Sequence, residues 1–295
     1  FLETAVDSDY DIFVSQDIDR QTAVSALPIN FAPLKRALDM FPSTVLMSGT
    51  PPSSEFLSQC VGIEKKVLGV DVEDFGAKNY LKENTCVVLF TGATTSFRAR
   101  GEGEYRVYRR LIEAVYRVTP GVTMAVYPSY EVMNSVVRGV SADRVLVEGE
   151  EPLAELLQKI ASSRKVLLNV VAGGRFAEGV EFVAEGESMI KSAVVVGVPY
   201  PQPDDYVEMI RSNIEAKGGI YTSYYTDVAI TRVGQAIGRA IRSEKDYAVV
   251  VLADRRFTRA DILKRLGLRP RVTTSSVERV VQIAETFFSQ VERPW

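Results

Sequence analysis

Residues 235–257 read QAIGRAIRSEKDYAVVVLADRRF, and this stretch indicates both a fold and a kind of site. If residues 235–242 form a helix, Gln235, Arg239 and Arg242 fall within about 60° of one another on one face. The apolar residues fall on the opposite face, as in a helix that packs on a core. Guanidinium groups bind phosphate oxygens and stay charged at any working pH. The segment predicts an anion site; the alternative is a surface amphipathic helix whose arginines bind no ligand.

The run that follows, Ala248–Ala253, is short and continuously apolar, as a parallel strand buried on both faces should be. Similar runs recur along the chain with helix-like segments between them, and this alternation predicts a doubly wound, mostly parallel sheet that binds ligands at the carboxyl ends of its strands. The predicted strands are Thr44–Met47, Cys86–Phe90, Val122–Val126, Val166–Val171, Ala193–Val198 and Ala248–Ala253; the predicted helices are Glu104–Val118, Tyr130–Val140, Pro152–Ser162, Asp204–Ala216, Asp227–Arg242 and Ser275–Gln290.

Composition excludes several classes of protein. The chain has 295 residues, 46% hydrophobic and 25% charged, which is ordinary for a globular protein. No apolar run is long enough to span a bilayer, so we expect no membrane segment. There is no histidine and there are two cysteines, Cys60 and Cys86. Catalytic Ser-His and Cys-His pairs are therefore excluded, as is a zinc or iron–sulfur site within this chain.

Charge is spread unevenly along the chain. The net charge is −3, yet residues 232–271 contain 11 Lys+Arg and 4 Asp+Glu. Such a local basic surface is sufficient to bind nucleic acid on an acidic protein. The chain begins at Phe1 rather than Met, so we expect further residues to precede it.

Four shorter motifs precede the opening stretch. The triplet Ser48-Gly49-Thr50 places two small hydroxyl side chains around a glycine. Taken by itself, such a triplet is commonly only the cap of a turn. Residues 91–100, TGATTSFRAR, offer Arg98 and Arg100 to phosphates, although a solvated arginine face is the alternative. In residues 127–130, YPSY, Ser129 is a candidate helix cap and Tyr130 a candidate base-stacking residue or a packed aromatic. Residues 172–182, AGGRFAEGVEF, combine close-approach glycines with Arg175, Glu178 and Glu181.

In this order the motifs resemble motifs III to VI of superfamily 2 helicases, specifically the XPD/DinG branch of DNA helicases. The resemblance implies a RecA-like, P-loop NTPase-type α/β fold, a parallel sheet with helices on both faces that lacks its own P-loop. It assigns residues 1–52 to the tail of a first motor domain and residues 53–295 to the second motor domain.

The resemblance also implies roles for individual residues. Arg239 and Arg242 are expected to act as arginine fingers on ATP, and Gln235 to position the γ-phosphate or the attacking water. The expected nucleotide contacts are Gly179, Glu181 and Gly238; the expected single-stranded DNA contacts are Arg98, Arg100, Ser129, Tyr130, Gly174 and Arg175; and the expected coupling residues are Ser48, Gly49 and Thr50. The family has Asp where this chain has Glu181, whose carboxylate reaches one methylene further.

No GxxxxGK[ST] phosphate loop and no Asp-Glu-x-His motif occur in the chain. The resemblance therefore implies that ATP and Mg²⁺ are shared with the first motor domain, and that a 4Fe–4S cluster belongs to the parent enzyme outside this chain. It further implies 5′ to 3′ movement on single-stranded DNA, a cytoplasmic and archaeal setting, and contact with repair or transcription factors. The alternatives are a non-catalytic single-strand-binding module or split-helicase subunit and, less favoured because GxGxxG is absent, a Rossmann-like small-molecule enzyme.

Overall fold

A computed structural model describes residues 7–16, 22–149, 152–163, 165–174, 182–184 and 186–291. The chain forms two compact units, one made of Phe1–Val70 with Tyr200–Val228 and the other of Asp71–Pro199 with Ala229–Trp295. Residues 53–70, which the resemblance assigns to the second motor domain, thus fall in the same compact unit as residues 1–52. The assignment of residues 1–52 to a separate motor domain stays a prediction.

The elements alternate as the sequence pattern predicts. None of the helices in these ranges is both long and apolar enough to cross a membrane. The strands are β1 (Tyr10–Gln16), β2 (Thr22–Pro28), β3 (Thr85–Phe90), β4 (Val122–Tyr127), β5 (Val145–Val147), β6 (Val166–Val171), β7 (Val183–Ala184), β8 (Glu187–Ser188), β9 (Ile190–Val196), β10 (Ala248–Ala253) and β11 (Val272–Thr274). The helices are α1 (Ala32–Asp39), α2 (Ser54–Phe56), α3 (Tyr80–Glu83), α4 (Glu102–Val118), α5 (Tyr130–Val137), α6 (Leu153–Ala161), α7 (Asp205–Ala216), α8 (Tyr221–Gly238), α9 (Ala260–Leu266) and α10 (Val277–Val291).

The larger unit is built on a parallel sheet, in the described residues, of order β11-β3-β10-β9-β4-β6-β5. Side chains of one strand alternate between its two faces. In β4, Ala125 and Tyr127 join the core formed with α4, α5 and α10, whereas Met124 and Val126 join the core formed with α6 and α8. Helices therefore cover both faces, and the predicted RecA-like α/β class is confirmed.

One predicted strand is wrong. Residues 44–47 follow α1 without any strand pairing in the described part of the chain. Val45 is 90% exposed and Met47 is 95% exposed. An extended apolar segment becomes a strand only where a neighbour takes up its backbone N–H and C=O groups. Apolar composition alone therefore mispredicted this segment, while the five later strands are confirmed.

The smaller unit has an aromatic core of its own. The antiparallel hairpin β1–β2 leads into α1, and α2 continues into a π-helical turn at Leu57–Val61. Cys60 packs with Ile210 and Ile214 of α7, and aromatic rings from α2 and α8 close over them. Edge-to-face geometry, as between Phe31 and Phe56 at 5.2 Å, stabilises such clusters beyond their buried area.

Gly197, at the carboxyl end of β9, occupies a position that no other residue suits. Its φ is +81°, and an added Cβ would lie 1.9 Å from Thr95 Oγ1. We expect Gly197→Ala to lower the free energy of unfolding by about 1–3 kcal/mol for the left-handed backbone and by a similar further amount for the clash. Urea unfolding followed by circular dichroism measures both effects.

Gly76 supplies the control for that substitution. Its φ is +74°, but an added Cβ meets nothing within 4 Å. Gly76→Ala should therefore lower the free energy of unfolding only by the cost of the left-handed backbone. Equal losses at the two glycines would contradict the close approach of Thr95.

Candidate functional site

The predicted nucleic-acid residues are grouped at one edge of the sheet. The strands β3, β4 and β6 are parallel, so the loops that follow them emerge at the same edge. Arg98 and Arg100 lie in the loop after β3, Ser129 and Tyr130 directly after β4, and Gly174 after β6.

Asp254 anchors the loop that follows β3. Its carboxylate is 0% exposed and directly follows β10. It accepts hydrogen bonds from Thr94 Oγ1 at 3.0 Å, from the Thr95 backbone N–H at 2.8 Å and from Arg256 Nη2 at 2.8 Å. A buried carboxylate requires such partners, so it fixes the backbone around it. The sequence analysis missed Asp254, although an acidic residue at the end of a buried strand is a usable signal.

The two arginines of this loop have different surroundings. Arg100 Nε donates to the carbonyl of Thr95 at 2.9 Å, and its Nη1 lies 3.5 Å from Glu131 Oε2. Arg98 is exposed. Arg100 thus ties this loop to the start of α5, while Arg98 presents its charge to solvent.

The start of α5 has the predicted cap. Ser129 Oγ accepts the backbone N–H of Val132 at 3.4 Å. Tyr130 is 46% exposed at the first position of the helix. The preceding Tyr127 is fully buried and donates to Asn169 Oδ1 at 2.9 Å, and its burial raises the pKa of the phenol. Of the two tyrosines in the motif, the exposed one is the candidate for ligand contact.

The glycine loop after β6 rests on Glu148, a 4% exposed residue that follows β5. Glu148 Oε2 accepts the backbone N–H of Val171 at 2.7 Å. A Cβ on Gly174 would lie 2.6 Å from Glu148 Oε1, so glycine is required there. The remaining predicted residues of this motif lie outside the described residues: Arg175, Glu178, Gly179 and Glu181.

The prediction of one helical face for Gln235, Arg239 and Arg242 is wrong, because α8 ends at Gly238. The next residues form a tighter turn, in which the Arg239 N–H bonds to the carbonyl of Ala236 at 3.2 Å. Arg242 lies beyond this turn and is exposed. The apolar residues predicted to face the core are buried at Val233, Ile237 and Ala240, and Ile241 is partly buried.

Asp246 explains why the helix stops. Its carboxylate is 1% exposed and accepts the backbone N–H groups of Arg242 and Ser243, each at 2.7 Å. In a continued helix those N–H groups would bond to carbonyls one turn earlier. Asp246 also accepts the Ser188 N–H at 2.6 Å, and Ser188 Oγ donates to the carbonyl of Arg239 at 2.9 Å. A charged acceptor outcompetes the helical pattern and fixes the arginine turn.

The two predicted groups of residues lie near opposite edges of the sheet. Arg232 Nη1 donates to the carbonyl of Pro199, just after β9, at 3.3 Å, and a Cβ on Gly173 would lie 3.0 Å from Arg232 Nε. Directly after α8, the carbonyl of Arg239 accepts a hydrogen bond from Ser188, which precedes β9. From Arg232 onward, α8 and the turn that follows it therefore lead from the carboxyl edge, with the nucleic-acid candidates, to the amino edge, with the arginine turn.

Gln235, which the resemblance assigns to the nucleotide, lies in the last turn of α8. Its Oε1 is buried and has no hydrogen-bond partner among the described residues. An unpaired buried acceptor is costly, so such an atom fits a ligand hydroxyl or an ordered water. Among the described residues there is no cluster of three or more Cys, Asp or Glu that would bind a metal ion.

The residues Ser48, Gly49 and Thr50 belong to the smaller unit. There the Thr50 N–H bonds to Ser48 Oγ at 3.1 Å, which is the local turn cap. Their coupling role stays a prediction.

The helicase C-terminal domain family model matches residues 112–268. This chain belongs to that family. It resembles the C-terminal portion of XPD/DinG-type superfamily 2 helicases, since it is 31% identical over 217 residues to the ATP-dependent DNA helicase XPD of Sulfolobus acidocaldarius, an alignment that covers 73% of this chain and 39% of the relative. Against the ATP-dependent DNA helicase CHL1 of Candida glabrata, identity is 30% over 159 residues, covering 49% of this chain and 19% of the relative.

Solved structures agree with this membership. A structure described as an XPD helicase is 26% identical and matches with a TM-score of 0.73, over 90% of this chain and 48% of the other. A second, described as XPD in its apo form, is 27% identical with a TM-score of 0.75, over 90% and 55%. The chain thus spans well under two thirds of the helicases that it matches, and it corresponds to a helicase-type C-terminal region.

The role of Asp246 in this helicase domain is testable by its removal. We expect Asp246→Ala to lower the free energy of unfolding by at least about 2 kcal/mol, because one buried and two partly buried backbone N–H groups lose their acceptor together. Thermal and urea unfolding measure the loss. The control is Asp261→Ala, which removes an exposed carboxylate paired with Arg259 at 2.7 Å and should change stability by no more than about 0.5 kcal/mol. Similar losses for both variants would show that Asp246 does not hold the turn.

Proposed function

We propose that this chain is the second motor domain of an ATP-dependent, XPD-type DNA helicase, which supplies arginine fingers to ATP and binds single-stranded DNA. The observation that carries the proposal is the arginine turn after α8. Asp246 holds the backbone of Arg242, Ser188 holds the carbonyl of Arg239, and both arginines follow a helix whose Gln235 has a buried acceptor without a partner in the described part of the chain. Arginines on a fixed turn are suited to stabilise charge that develops on a phosphoryl group.

On the nucleotide side, Arg239 and Arg242 would bind phosphate oxygens and Gln235 would orient a water or a phosphate oxygen. The nearby Gly238 leaves open space, since an added Cβ there meets nothing within 4 Å. ATP, when bound with Mg²⁺, would supply the phosphoryl group and its activating charge. The chain has no phosphate loop of its own, so the first motor domain would supply the cradle, and Gly179 and Glu181 would add contacts from this side.

On the nucleic-acid side, Arg98, Tyr130 and Gly174 would bind one DNA strand, with Ser129, Arg100 and Arg175 supporting them. The rigid loops at the carboxyl edge favour this assignment. Contacts to phosphates and stacking on bases are tolerant of sequence, as a translocating enzyme requires. The separation of this edge from the arginine turn means that ATP and DNA contacts do not share residues.

The remaining proposals concern the whole enzyme of which this chain would be a part. We propose 5′ to 3′ movement, a role in DNA repair, a cytoplasmic setting in an archaeon, an iron–sulfur cluster held outside this chain, and Ser48-Gly49-Thr50 as the coupling turn. The alternative is a single-strand-binding module without ATPase activity. In that case substitutions in the arginine turn should leave nucleotide hydrolysis unchanged.

The arginine turn is tested by ATP hydrolysis in the protein that joins this chain to a phosphate-loop motor domain. We expect Arg239→Ala and Arg242→Ala each to lower DNA-stimulated ATPase activity by about 10³-fold, the effect typical of arginine fingers. Affinity for single-stranded DNA should change little, because the turn lies away from the carboxyl edge. A coupled ATPase assay and fluorescence anisotropy give the two readouts.

Two controls sharpen this test. Arg259→Ala removes an arginine paired with Asp261 on the surface and should leave ATPase activity intact. The 295-residue chain alone should not hydrolyse ATP. Loss of DNA binding with surviving ATPase activity would contradict the assignment of Arg239 and Arg242 to the nucleotide. Unchanged ATPase activity in both arginine variants would favour the alternative, in which this chain binds single strands but takes no part in ATP hydrolysis.

The strand-binding edge is tested by anisotropy with a labelled oligonucleotide at several salt concentrations. We expect Tyr130→Ala to weaken binding by about 1–3 kcal/mol with little change in the salt slope, because stacking involves no counterions. Arg98→Ala should lower the slope by about one phosphate contact. Tyr130→Phe keeps the ring and is the matched control. If Tyr130→Ala destabilises the fold yet leaves affinity intact, the ring serves packing.

A further inference from the structure

The loop after β3 presents an aromatic ring that the motif resemblance does not explain. Phe97 is 86% exposed, although it lies between Ser96 and Arg98 in an otherwise well-anchored loop. An exposed phenyl ring contributes little to folding, since hydrophobic stabilisation requires burial. The question is what such a ring contacts.

The backbone that carries the ring is held in a defined place. The Ala99 and Arg100 backbone N–H groups both bond to the carbonyl of Ser96, at 2.9 and 3.0 Å, which closes a turn around Phe97. The base of the turn is fixed because Ser96 N–H bonds to Thr94 Oγ1, which itself bonds to the buried Asp254. When a ligand binds, a fixed turn has no backbone freedom left to lose, so less of the contact free energy is spent on ordering.

Charge around the ring indicates the kind of ligand. The Arg100 guanidinium lies 5.9 Å from the centre of the Phe97 ring, and Arg98 is exposed beside it. Phe75, another exposed phenylalanine of the same compact unit at 81%, instead has Glu73 and Asp74 as near neighbours in its turn. Cations beside a ring match a strand of nucleic acid, which offers phosphates and bases together, whereas an acidic surrounding repels it.

The loop that contains Phe97 contacts the first turn of α5, which begins with the other strand-binding candidate, Tyr130. Arg100 connects its loop to Glu131 at 3.5 Å, and Glu131 follows Tyr130 in the first turn of α5. The carboxyl edge therefore carries two exposed aromatic rings, and Arg100 links the two segments that carry them. Successive rings of this kind are the usual platform for unpaired bases.

We infer that Phe97 is a base-stacking residue of the single-strand-binding surface, acting together with Tyr130. The inference rests on the proposed function, because it takes the carboxyl edge as the DNA side. It adds a residue that motif comparison did not select, and it gives Asp254 a role as the positioning residue of the turn that presents the ring.

The test uses the 295-residue chain and two fluorescent probes of equal length, an oligothymidylate and an abasic oligomer with the same sugar–phosphate backbone. We expect Phe97→Leu to weaken binding of the oligothymidylate about 5- to 100-fold and to leave the abasic oligomer unaffected, with an unchanged salt slope. Phe97→Trp should restore affinity, because it restores a stacking ring. Phe75→Leu is the matched control and should bind both probes like the unsubstituted chain.

Other outcomes overturn specific parts of the argument. If Phe97→Leu binds both probes normally while Tyr130→Ala and Arg98→Ala weaken binding, Phe97 does not stack, although the proposed function stands. If Phe97→Leu weakens both probes equally, the ring supports the backbone rather than a base, and the inference is wrong. If the unsubstituted chain binds neither probe, the proposed DNA surface fails. Thermal unfolding of each variant excludes loss of the fold as the cause.

Discussion

Strand β10 has a buried carboxylate at each end, and the ordered loops of the larger unit depend on both. Asp246 precedes the strand and is 1% exposed; Asp254 follows it and is 0% exposed. A charge removed from water must be surrounded by hydrogen-bond donors, and in this chain most of those donors are backbone N–H groups of the segments that carry the proposed site residues. The need to satisfy two carboxylates therefore fixes the arginine turn at one edge and the loop containing Phe97 at the other.

This arrangement connects the two sides of the proposed site through few elements. Arg232 of α8 lies next to Gly173 of the glycine loop, and Arg239, in the turn directly after α8, lies next to Ser188. Gly173 and Ser188 thus lie against the second half of α8 and the turn that follows it. A shift of α8 would disturb both contacts at once, which is the kind of physical link that coupling between a nucleotide site and a DNA site requires.

The family comparisons establish which family the chain belongs to, whereas the geometry distinguishes exposed from internally bonded residues. Membership of the helicase C-terminal family follows from sequence similarity over more than half of the chain. The geometry indicates which of the family-like side chains reach solvent: Arg98 and Tyr130 are exposed, whereas Arg100 bonds to the carbonyl of Thr95 and pairs with Glu131. The proposed function therefore rests on fewer residues than the motifs alone suggested.

The sequence by itself determined the fold class and most of the elements, because buried parallel strands are continuous apolar runs and the helices between them have a periodic apolar face. It also placed the Ser129 cap, which depends only on local chemistry. It could not determine that Thr44–Met47 remains unpaired, since pairing depends on a distant neighbour. Nor could it locate the end of α8 or the turn around Phe97, because each is set by a carboxylate, Asp246 or Asp254, that reaches its partners only after the sheet has formed.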